Sequence, residues 1–207
     1  MDNSHSIFMA LMDFIPVLGF IIGVFYLTKV FTFSQKLDMV WMVITGGGLI
    51  FFGGGLQATW KLFKALNIGD FQWMSQGQFI FMALGYSFFL ISLFSLSRTK
   101  ILAENISLTA MAVWKIPFLI IMTLASLGTY GILAYIAFRR RLTLAGISFS
   151  IALLGVILMG GMASQTQSIA MQWIEQSVNS FSNICFAVGC FLLFKDFEAI
   201  ISPPEIQ

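Results

Sequence analysis

Six apolar stretches, roughly 7–28, 39–60, 75–97, 114–138, 142–163 and 172–194, divide this chain, and each is about as long as one bilayer crossing. A helix rises about 1.5 Å per residue, so about 20 apolar residues span the roughly 30 Å hydrocarbon layer. Of the 207 residues 58% are hydrophobic and only 10% are charged. A soluble domain carries about 25% charged residues, so a water-facing surface cannot be built here. That excludes a soluble enzyme, a disordered protein and a secreted disulfide scaffold. The reading is an all-α integral membrane protein of six transmembrane helices, a single membrane domain over 1–207 with the lipid bilayer as its first partner.

The tryptophans mark the same segmentation. Trp41, Trp73, Trp114 and Trp173 open four spans and Trp60 closes the second, as expected for a side chain that prefers the headgroup level. Lys29, Lys61, Arg98, Arg139 to Arg141 and Lys195 mark other ends. The amino-terminal residues Met-Asp-Asn-Ser-His-Ser lack the basic start and cleavage site of a secretory signal, so the first span is expected to stay as a helix.

Charge gives little further. A net charge of +2 makes no electrostatic case for nucleic acid. For orientation, an amino terminus inside puts Lys61, Lys64, Arg139, Arg140, Arg141 and Lys195 on the cytoplasmic side. The reverse puts Lys29, Lys36, Arg98, Lys100 and Lys115 there. Six against five does not separate the two under the positive-inside rule. The Arg139–Arg141 cluster tips the reading toward both termini in the cytoplasm.

Three short matches recur in the same order. Phe14-Ile15-Pro16 pairs with Lys115-Ile116-Pro117, Gly53-Gly54 with Gly160-Gly161, and Gln72-Trp73-Met74-Ser75-Gln76 with Gln172-Trp173-Ile174-Glu175-Gln176. The offsets are 101, 107 and 100. Repeats over 7–97 and 114–195 would each hold three spans, and an odd number turns the second unit upside down. The parity thus predicts two inverted three-helix repeats, as in many transporter folds; chance likeness between apolar helices is the rival. The connection from Arg98 to Val113 is read as lying along the interface, with Glu104 and an Asn105-Ile106-Ser107 glycosylation pattern.

Absences narrow the chemistry. His5, in the polar tail, is the only histidine, so no haem pair, zinc site or serine triad can be assembled. No Lys-Ser/Thr follows the glycine clusters, so no phosphate-binding loop exists, and no lysine sits mid-span. Cys185 and Cys190 read as two small buried hydrophobes. No cofactor, no metal site and no catalytic constellation is expected.

The sixth span carries the feature with most chemical content. Gln165, Ser168, Gln172, Glu175, Asn179 and Ser182 follow a 3-4-3-4-3 spacing, with Gln176 and Asn183 flanking the same face. That stripe is polar in its first half, and Phe186 and Gly189 continue it as apolar or small residues. The functional reading is a polar half-channel or ligand pocket formed by Glu175, Asn179, Asn183, Gln172 and Gln176, with Glu175 as its ionisable group. The bland reading sets Gln172 and Glu175 at headgroup level, because Glu175 lies about 30 Å along the helix from Lys195, and leaves the asparagines to helix packing.

Glycine supplies the packing candidates. Gly46, Gly47 and Gly48 repeat seven residues later as Gly53, Gly54 and Gly55, and Gly19 with Gly23 forms a GxxxG pair. Small residues let helices approach closely in lipid, and a glycine run is also where a transporter helix can unwind. Asp13, just before Pro16, reads as a helix-start acid or as an intramembrane functional group.

The likeness to small inverted-repeat transporters and membrane-embedded binding subunits rests on span count and parity alone. The leading expectation is a transporter or ligand-binding membrane protein, taking a small molecule or a lipid between the sixth span and the glycine groove of the second. The second is a non-catalytic subunit packing against other membrane chains, or its own copies, through the glycine faces. A sensor acting through a separate partner is third and an intramembrane enzyme last.

Overall fold

The computed structural model describes residues 7–97, 115–162 and 168–201. His5, Arg98, Lys100, Glu104, Asn105, Ser107, Trp114 and Gln165, all named above, lie outside the described residues. The elements are α1 (Ile7–Met12), α2 (Phe14–Phe33), α3 (Leu37–Ala65), α4 (Gln72–Ser97), α5 (Lys115–Arg139), α6 (Thr143–Met162) and α7 (Ile169–Ile201). With α1 and α2 taken as one span over Ile7–Phe33, six helices among the described residues are long and apolar enough to cross a membrane. The helices overrun the apolar stretches because their polar ends continue into the headgroup layer.

The helices form a closed ring in chain order, each packed on the next, with α7 returning to α2. Large apolar side chains point outward all round, among them Leu18, Phe25, Phe52, Ile91, Leu124, Leu154 and Phe181. Helices that are apolar on every face belong in lipid. Inside, Leu27, Val30, Phe31, Leu93, Leu133, Ala137, Phe149 and Leu193 close one half of the ring with essentially no exposure.

Helix directions do not support the inverted repeat. Phe8 lies against Trp173, Tyr26 against Phe191 and Phe33 against Phe194, so α2 and α7 run parallel. Arg140, at the end of α5, pairs with Asp196 near the end of α7, which makes those two parallel as well. Lys36, before α3, donates to the Ser95 backbone carbonyl near the end of α4. Hence α2, α4, α5 and α7 all point one way, and α3 and α6 point the other. The two three-helix units stand in the same orientation, α4 ends on one face of the bundle and α5 starts on the other. The parity argument takes Arg98 to Val113 for a connection along one face, and that segment lies outside the described residues. The first described helix starts and the last described helix ends on opposite faces of the bundle.

The three sequence matches fall at equivalent places in the two units. The first match opens α2 and α5, the second begins 16 residues after the start of α3 and 17 after the start of α6, and the third opens α4 and α7. The hairpins agree as well. Gln35 and Arg141 both take left-handed backbone angles, at φ 55° and 62°. The next residue in each turn bonds back five residues, Lys36 to Phe31 and Leu142 to Ala137, which satisfies the helix-end carbonyls.

The glycine triplets divide their labour. A side chain at Gly46 would meet the Gly85 carbonyl and Phe89 on α4, and one at Gly53 would meet the Gln78 carbonyl. Gly47 and Gly54 face Val24 and Val17 on α2, while Gly48 and Gly55 meet nothing. Gly19 and Gly23 pack on Asn183 and Phe186 of α7. The seven-residue spacing thus presents one glycine of each triplet to each neighbour. Gly46→Val is expected to destabilise the protein by about 1–3 kcal/mol through overpacking. Gly48→Ala should be neutral or stabilising by up to about 1 kcal/mol. Thermal unfolding in detergent measures both.

Candidate functional site

On the face where α1 starts, the bundle is hollow. A cavity of about 590 Å³ lies between α3, α4, α5, α6 and α7, within the roughly 300–1,000 Å³ usual for small-molecule sites. The stripe of α7 supplies Gln172, Glu175, Asn179, Ser182 and Asn183 to it. Opposite stand Gln57 and Lys61 of α3, Ser75 and Gln78 of α4, and Thr123 and Ser126 of α5. A recess of about 130 Å³ continues between α2, α3 and α7, reaching Asp13, Gly54 and Gln176. The residues expected to form a site are therefore together, but of the glycine groove expected opposite them only Gly54 borders the recess, and none of those glycines lines the larger cavity. Ser168 is apart from them: its hydroxyl accepts from Met171 N–H and caps α7.

Depth follows from helix rise. Asn179 lies about 6 Å and Asn183 about 12 Å deeper than Glu175 along α7. The two amides are joined, Asn183 Nδ2 donating to both Asn179 O and Asn179 Oδ1 at 2.9 Å. Phe186 lies about 16 Å below Glu175, and there the cavity ends. Phe186 stacks on Phe20 at 5.2 Å, Tyr130 meets Phe186 edge-on at 5.5 Å, and the Tyr86 and Tyr130 hydroxyls lie 3.3 Å apart. Four helices, α2, α4, α5 and α7, converge in this aromatic floor, and its two tyrosines line the cavity. The structure is thus a vestibule, open on one face and shut at mid-depth.

Pro16 explains the join between α2 and α7. Proline has no N–H, so the carbonyl four residues earlier, that of Met12, loses its helical partner. The chain makes a turn at Asp13 between α1 and α2, and Gln176 Nε2 donates to Met12 O at 2.5 Å. Gln176, one of the expected site residues, lines the recess, and its buried amide is also engaged by this backbone carbonyl. Asp13 makes no side-chain cap on α2. Its buried carboxylate is 2.8 Å from the Lys61 ammonium of α3. Both alternatives for Asp13 missed this partner, which is remote in sequence.

Tyr86, Tyr130, Gln57, Gln78 and Lys61 were not singled out from the sequence. Gln57 and Gln78 had a usable signal, being amides inside apolar runs. The tyrosines had none, because only the fold turns their hydroxyls toward one cavity. Among the described residues no cluster of three or more His, Cys, Asp or Glu could hold a metal. Compared with protein families, with curated proteins and with solved structures, the chain gives no match.

Two stability measurements check these joins. Gln176→Leu should lower stability by about 1–3 kcal/mol, because it strands the Met12 carbonyl. Asp13→Asn and Lys61→Met should each cost about 2 kcal/mol, less than for a fully buried pair because Lys61 retains some solvent access. The double variant should recover part of that loss, which a double-mutant cycle reads directly.

Proposed function

We propose that the chain is a small-molecule transporter whose ligand binds in the vestibule, with Asn179 and Asn183 hydrogen-bonding it and Glu175 acting as charge or proton partner. The observation that carries this reading is a polar cavity of organic-ligand size sunk to mid-depth in an otherwise apolar bundle. Amides are unfavourable there unless they have partners, and a passage open on one face and shut on the other suits one end state of an alternating-access carrier. Two three-helix units in one orientation, which we read as a duplication, are a known way to build such a carrier. Binding and passage, not catalysis, are the activities this lining favours.

The subunit reading is weaker, because Gly19, Gly23, Gly46, Gly47, Gly53 and Gly54 are engaged by α2, α4 and α7, which leaves it only Gly48 and Gly55. A sensor would use the same vestibule but needs a separate partner for output.

The test is a thermal-shift screen of the purified protein against small polar molecules and organic cations. A ligand at about 100 times its Kd adds about 2.7 kcal/mol. The stabilisation should be present in the wild type and lost in Asn179→Leu and Glu175→Gln. Stabilisation that persists in both variants places the ligand elsewhere and overturns the assignment.

A further inference from the structure

We propose that the vestibule opens on the extracytoplasmic side, so that its ligand is taken from outside and the aromatic floor and closed half face the cytoplasm. The argument is a recount of charge with the helix directions of this fold. Lys29, Lys36, Arg139, Arg140, Arg141 and Lys195 all lie at the closed face. The vestibule face has Lys61, Lys64 and Lys115, the first residue of α5. Among the described residues that is six against three. From sequence alone the two sides were nearly equal, because Arg139–Arg141 and Lys195 were grouped with Lys61 and Lys64. The change of face between α4 and α5 moves all four residues to the side of Lys29 and Lys36.

The rule applies in its own terms here. Lysine and arginine count when they lie in short connections close to span ends, and the connections 34–36, 66–71 and 140–142 are all short. Acidic partners contribute little to it, so the Arg140–Asp196 and Lys195–Glu198 pairs do not cancel the excess. The strongest element is the Arg139–Arg141 run, three adjacent cations in the turn between α5 and α6.

That the ligand comes from outside rests on the vestibule being the binding site; the sidedness itself does not. Single cysteines read the sidedness in intact cells with a membrane-impermeant maleimide. Ile68→Cys and Ile169→Cys report the vestibule face, and Leu37→Cys and Leu144→Cys report the closed face, all four positions being more than half exposed. The wild type sets the background, since Cys190 is buried and Cys185 partly so. The first pair should label in intact cells, and the second should rise several-fold only after permeabilisation. Labelling of the closed-face pair in intact cells overturns the proposal, alone or together with the first pair. The thermal-shift screen uses purified protein and is indifferent to sidedness, so the two readings fail separately.

Discussion

Hydrocarbon offers backbone groups no partner, and this constraint organises the bundle. Every helix must satisfy its own N–H and C=O groups or borrow a side chain to do so. At Pro16 the ladder is short of one donor, and the Met12 carbonyl is left facing α7. Gln176 fills that gap, which ties the polar half of α7 to the turn at Asp13. The same turn sets the Asp13 carboxylate against Lys61. One missing N–H therefore accounts for how α2, α3 and α7 are held together at the mouth of the vestibule.

Below the mouth, packing replaces polar bonding as the dominant force. Gly46 and Gly85 let α3 and α4 cross with backbones nearly in contact, and Gly23 receives the ring of Phe186. That placement brings Phe186 against Phe20, Phe149 and Tyr130, with Tyr86 joined to the cluster through Phe20 and Tyr130. The floor thus depends on small residues elsewhere: a bulkier residue at position 23 would push Phe186 out of the cluster. The closed half then needs no polar lining at all.

Span number and span limits were legible because they depend on local composition alone. The polar stripe of α7 was legible because its helical spacing is a property of a single element. Helix direction was not legible, since it turns on where the chain changes face, and the apolar and polar residues of 98–113 permit either reading. Asp13 shows the other limit: its position before Pro16 suggested a cap, but its partner arrives from 48 residues away. The glycine triplets were recognised as packing residues, yet only the ring order assigns each glycine to a neighbour.

The common orientation of the two units has a consequence for the origin of the cavity. In the ring, α5, α6 and α7 follow α2, α3 and α4 in the same order, so the α4–α5 contact corresponds to the α7–α2 contact. Two copies of a three-helix chain could close this ring as an isologous pair. Any site on its axis would then have identical walls. Joining the copies in one polypeptide removes that obligation. Ser75 and Glu175 occupy matching positions in the two units, so the single acid stands on one wall and a hydroxyl on the other. A ligand held between them would be read from two chemically different sides, which a cavity walled by two identical chains could not offer.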